Sequence, residues 1–97
     1  MRLCILLIDD NKASTYYTFT SIDELIKHIY EYLISFNNCN NKIINLCDAD
    51  SINKLTNPIN NLNKFKILVE DQYNDENILY EKDIDWLREM LISYYKN

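Results

Sequence analysis

The chain has 97 residues, of which 47% are hydrophobic and 12% aromatic, as in one folded domain and unlike a disordered segment. Its fifteen acidic and ten basic residues leave a formal net charge of −5. We expect no direct binding to nucleic acid, because that affinity comes mainly from Lys and Arg on phosphates. No apolar run approaches the roughly 18–20 residues that cross a bilayer, and no signal-peptide cleavage site is evident. We therefore expect a cytoplasmic protein with no membrane partner.

Glycine is absent from the chain, and Pro58 is its one proline. Without glycine there is no P-loop, no dinucleotide-binding fingerprint and no GxSxG nucleophile elbow. The one histidine, His28, falls on the predicted solvent side of a helix, and Cys4, Cys39 and Cys47 form no CxxC pair. We expect free thiols, no metal site, no cofactor and no enzymatic activity. Ile, Asn, Lys and Tyr supply 44 of the 97 residues, which indicates an AT-rich genome.

The first third of the chain predicts two strands and a helix. Residues 2–9 form an apolar run, and residues 16–20 (YYTFT) are β-branched and aromatic, so both segments favour strands. Ser21 and Glu24 have the spacing of a capping box at a helix start. The helix then carries an apolar face at helical spacing, which comprises Ile22, Leu25, Ile26, Ile29, Leu33 and Phe36.

The middle of the chain predicts a strand and an interrupted helix. Residues 42–47 (KIINLC) favour a strand, and residues 51–62 place apolar side chains at helical spacing. Asp50 or Ser51 is the expected N-cap of this helix. Pro58 either interrupts it or starts a second short turn capped by Asn57.

The last third matches the first when the chain is shifted by 62 positions. Residues 5–35 fall on residues 67–97 without a gap and with seven identities, and Ser21 meets Asp83, another favoured N-cap residue. We therefore predict an α+β fold in a single domain, residues 1–97. It has an antiparallel or mixed sheet of about five strands with helices on one face. Two ββα-like units, residues 2–36 and 65–97, would be related by an internal repeat.

The negative charge is concentrated at the end of the sequence. Residues 1–69 carry seven acidic and seven basic side chains, whereas residues 70–97 carry eight acidic and three basic ones. Trp86 lies about 100–110° from the apolar face of the last predicted helix, where it could anchor a partner or pack under a neighbouring strand. The predicted partner-binding residues are Glu70, Asp71, Asp75, Glu76, Glu81, Asp85, Trp86 and Glu89.

These features favour a small acidic protein-binding module over an enzyme. An acidic surface attracts a basic one and speeds the encounter, so the expected partner is a protein with a basic surface, such as a nuclease or a nucleic-acid-binding complex. By analogy of class, phage-encoded inhibitors of host nucleases or CRISPR effectors act in this way. Two alternatives stay open. One is an antitoxin or immunity partner of a basic toxin. The other is a homodimer or larger structural assembly, because residues 3–8 are apolar on both strand faces.

Overall fold

The computed structural model describes residues 2–10, 12–36 and 48–95. In chain order the elements are β1 (Cys4–Asp9), β2 (Ser14–Phe19), α1 (Ile22–Phe36), α2 (Ala49–Thr56), a 3₁₀ helix (Asn57–Asn61), β3 (Lys64–Tyr73), β4 (Glu76–Lys82) and α3 (Ile84–Tyr95). The α+β class is confirmed. None of the helices in the described ranges has the length and apolar character needed to cross a membrane.

The four described strands form one antiparallel sheet in the order β2-β1-β3-β4. The two strands that contain buried residues, β1 and β3, lie at its centre, and β2 and β4, which have none, form its edges. Asp10 closes the β1–β2 connection, since its Oδ1 accepts the N–H groups of Lys12 and Ala13 at 3.1 Å. These bonds, that from Ala13 first, hold the pKa of Asp10 below its ordinary value.

The hydrophobic core lies between one face of the sheet and the helices. It joins alternate residues of the central strands (Cys4, Leu6, Ile8, Ile67, Val69) to the inner sides of the three α-helices (Leu25, Ile26, Ile29, Leu33, Ile52, Leu55, Leu87, Leu91). Burial raises the pKa of the Cys4 thiol, and Cys4 is free as predicted. Cys39 and Cys47 lie outside the described residues.

The N-cap residues predicted from the sequence start two of the three α-helices, and the prediction for the third needs a correction. Ser21 Oγ accepts the N–H of Glu24 at 3.2 Å, and Asp83 Oδ1 accepts the N–H of Trp86 at 2.8 Å, so both predicted caps are confirmed. The prediction of Asp50 or Ser51 as the cap of α2 is wrong, because the helix begins two residues earlier. Asp48 is the cap and accepts the N–H of Asp50 at 3.2 Å.

Pro58 does start a second short helix, as one of the two alternatives predicted. The N-cap of this 3₁₀ helix is Thr56, not Asn57, and its side chain makes no cap bond. The Thr56 hydroxyl instead donates to the carbonyl of Ile52 at 2.8 Å. Proline fits here because the first helical positions need no N–H.

The predictions of five strands and of an internal repeat are not confirmed. Residues 42–47, the predicted extra strand, lie outside the described part of the chain. Both halves do contain two strands followed by a helix. However, the shift of 62 residues equates Leu6, on the core face, with Leu68, on the opposite face, and likewise mismatches Ile5 with Ile67. Side chains alternate with period two along a strand, so a gapless repeat would keep each pair on one face.

A buried hydroxyl joins α2 to α3. Thr56 is fully buried and its Oγ1 accepts a hydrogen bond from Arg88 Nε at 2.9 Å, while Arg88 Nη1 lies 3.6 Å from Asp85 Oδ1. The guanidinium is therefore held against the α2–α3 contact by one partly buried bond.

Replacing Thr56 with valine is expected to lower the free energy of unfolding by about 1–2 kcal/mol, because Arg88 then keeps a poorly solvated donor without its acceptor. Urea denaturation followed by circular dichroism measures the change. Thr18→Val, on the exposed side of β2, is the control and should change stability by less than about 0.5 kcal/mol. Equal effects of the two substitutions would contradict the role of the buried bond.

Candidate functional site

The β3–β4 hairpin extends beyond the rest of the sheet. β1 pairs with β3 only as far as Val69, whereas β3 and β4 stay paired up to Tyr73 and Glu76. The N–H of Glu70 still donates to the carbonyl of Leu3 at 2.8 Å, which marks the base of the extension. We call residues 70–79 the acidic arm. Residues 71–77 are all exposed, so the arm presents both of its faces to solvent.

A two-residue turn closes the acidic arm. Asn74 and Asp75 both have positive φ, 51° and 65°, as type I′ hairpin turns require at both central positions. Asn and Asp are the residues that tolerate this region best when glycine is absent. The turn therefore places the Asp75 carboxylate at the tip, beside Glu76 and the Tyr73 ring, which is 61% exposed.

The whole formal charge of the protein lies in and beside the acidic arm. Residues 70–81 contain five carboxylates and no Lys or Arg, so the rest of the chain has ten acidic and ten basic residues and is neutral. Glu81 follows the arm on β4, opposite Leu68, on the sheet face away from the helices. The negative potential is thus strongest at a protruding, solvent-exposed hairpin.

Arg2 lies at the base of the arm. It lines a shallow polar depression together with Glu70, Asp71, Gln72 and Asn77. Its charge offsets part of the negative potential at the base, whereas the tip has no cation in its own segment. No local sequence signal pointed to Arg2, because it is 68 positions from Glu70 and strand pairing alone brings it there.

The other predicted partner-binding residues lie on α3, away from the tip of the arm. β4 spans seven residues from Glu76 to Lys82, roughly 20 Å, before the chain enters α3. Asp85 and Glu89 are exposed there. The structure therefore places the eight predicted residues in two groups, the arm with Glu81 and the first half of α3.

Trp86 is half-buried and packs against the hydrophobic core. Lys82 Nζ lies 5.9 Å from the centre of its ring and 5.8 Å from that of Tyr80, within reach of cation–π attraction. This position on the helix side of β4 corresponds to the predicted alternative in which Trp86 packs under a neighbouring strand.

His28 is not on an open surface, contrary to expectation. It is half-buried on α1 and its ring packs at 4.3 Å from Tyr17 and 5.4 Å from Phe19, counted between ring centres. The helical wheel missed this contact because Tyr17 and Phe19 lie on the helix-facing side of β2, beside Leu6 and Cys4. Within residues 2–10, 12–36 and 48–95, no group of three or more His, Cys, Asp or Glu side chains could hold a metal ion.

Fold and site together define a class: an α+β domain with helices on one face of a four-stranded antiparallel sheet and a protruding acidic hairpin. No protein-family model matches the chain. No curated protein matches it either.

Proposed function

We propose that this chain is a non-enzymatic protein-binding module that uses the acidic arm to occupy a basic, nucleic-acid-handling surface of another protein. The supporting observation is the position of the charge: five carboxylates in residues 70–81, without a cation among them, on a two-stranded extension exposed on both faces. Charge that protrudes from a neutral body steers association and reaches into a basic cleft.

Occupation of such a surface would exclude its nucleic acid and so inhibit the partner. The exposed Tyr73 ring beside Asp75 and Glu76 adds the apolar contact area that interface aromatics supply. Phosphate-binding surfaces are built from Lys and Arg, which carboxylates of the arm would pair with in place of phosphates. Inhibition of a nuclease or of a CRISPR-type effector is the form of this function that we propose. An antitoxin or immunity partner of a basic toxin is the alternative.

Competition tests the proposal. Tagged protein on beads is loaded with host lysate at about 0.1 M salt, then washed with excess duplex DNA or RNA at the same ionic strength. We expect the retained partner to be released by nucleic acid and by about 0.5 M salt, and its nucleic-acid activity to fall when one equivalent of this protein is added. A partner that resists the competitor, or keeps its activity in the complex, would contradict inhibition. A partner that kills cells when expressed alone would favour the antitoxin alternative.

A further inference from the structure

One face of the sheet carries apolar side chains and is covered by none of the described elements. The core contains Cys4, Leu6, Ile8, Ile67 and Val69, so the alternate residues of these strands point to the other side. We call that side the open face. Its apolar side chains are Leu3, Ile5, Leu7, Leu68, Leu79 and Tyr16. Leu7, at the centre, is buried with 9% exposed, and Ile5 and Leu68 are half-buried, whereas Leu79 is 41% and Tyr16 70% exposed at the edges.

The lysines of the open face lie toward one end of the strands, and two of its carboxylates lie toward the other end. On β3 the open-face residues follow in the order Lys64, Lys66, Leu68 and Glu70. Glu81 of β4 lies beside Leu68, on the acidic side. Asp9 of β1 pairs with Lys64 and lies on the same face, so one end carries two lysines and one carboxylate. The other end carries two carboxylates, Glu70 and Glu81, and the apolar residues lie between the two ends.

This pattern is complementary to itself. A two-fold axis that crosses the strands between Lys66 and Leu68 would set Lys64 of one copy opposite Glu70 of the other, twice in each dimer. The same axis would set Leu7 opposite Ile5 and bring Lys66 near Glu81. A partner surface of one sign would meet repulsion at one end of the face, whereas a second copy meets opposite charges at both ends.

We propose that a second copy of this chain covers the open face and forms a two-fold dimer of packed sheets. Isologous contacts of this kind are the commonest oligomer interfaces, and face-to-face sheets pack about 10 Å apart with strands within about 30° of each other. The open face is roughly 20 Å square, four strands by six residues, which is small for a specific interface, so the dissociation constant is expected to be micromolar. Residues 71–77 of each acidic arm extend past the packed region and would lie at opposite ends of the dimer, which leaves the arm tips accessible.

Charge reversal with rescue tests the dimer. Lys64→Glu alone would oppose carboxylate to carboxylate at both ends, and Glu70→Lys alone would oppose ammonium to ammonium. Each is expected to weaken dimerisation at least about tenfold. An equimolar mixture of the two variants restores opposite charges at both contacts and is expected to dimerise within about threefold of the wild-type affinity. Sedimentation velocity between about 1 µM and about 0.5 mM, with thermal midpoints as a check of folding, measures this.

Lys54→Glu on α2, an equal charge change in the helix layer, is the matched control and should dimerise as the wild type does. If either variant fails to fold, Lys66→Glu mixed with Glu81→Lys provides the second pair. A wild-type chain that stays monomeric at every concentration overturns the proposal. Single variants that dimerise normally, or a mixture that fails to recover, overturn it equally.

Discussion

Reversal of Asp71, Glu76 and Glu81 to lysine is expected to slow association with the basic partner by at least about tenfold at low salt. The reason is geometric, since these side chains supply three of the five carboxylates that give the protein its net charge, and they lie on or beside a protruding hairpin. Asp75 is left unchanged because its positive φ suits Asp better than Lys. Stopped-flow mixing with the partner, at several salt concentrations, measures the rate and its salt dependence.

A second triple variant separates the position of the charge from its amount. Reversal of the exposed Glu24, Glu31 and Asp50 changes the net charge equally but acts in the helix layer. We expect this helix-layer variant to lose less than about threefold in association rate and to keep its salt dependence. Equal losses in the two variants would show that net charge alone steers the encounter and would remove the arm from the proposed function.

Replacement of Trp86 with alanine is expected to lower the free energy of unfolding by about 2 kcal/mol, roughly half the loss typical of a fully buried tryptophan. For a domain of this size the thermal midpoint should fall by about 10 °C. The physical reason is that Trp86 packs against the core and under Lys82, roughly the length of β4 away from the tip of the arm. Affinity for the partner, measured by calorimetry below the unfolding transition, should change by less than about threefold.

Tyr73→Ala is the reciprocal control for Trp86→Ala. Tyr73 is exposed on the arm, so its truncation should change stability by less than about 0.5 kcal/mol and weaken binding instead. An unchanged thermal midpoint in Trp86→Ala together with a tenfold loss of affinity would identify Trp86 as an interface anchor and contradict the packing role.

Helices were the best predicted part of this fold. Ser21 and Asp83 precede runs of apolar residues at helical spacing, and each accepts an N–H in the first turn of its helix. These signals lie within a few residues of one another, so they act before any distant part of the chain is considered. The start of α2 was misplaced by two residues because Asp48, Asp50 and Ser51 are all favoured N-cap residues and propensity does not choose among them.

Strand pairing decided which sheet face each residue occupies, and no local sequence pattern predicted this. The seven identities between the two halves suggested equivalent strands, but pairing turns Leu6 to the core and Leu68 to the open face. A shift of one residue in the pairing register moves a side chain from the core face to the open face. The candidate site changed for the same reason. The acidic residues between positions 70 and 89 follow one another in sequence, but β4 separates those on the hairpin extension from those on α3.

The sequence by itself determined the α+β class, the starts of α1 and α3, the apolar first strand and the concentration of carboxylates after residue 69, because each depends on composition or on contacts between near neighbours. Only the tertiary structure decided that the hairpin projects past β1, that Arg2 lies at its base, that His28 and Trp86 are half-buried, and that one sheet face stays open. Those outcomes depend on which strands pair and in which register, and pairing joins residues more than sixty positions apart.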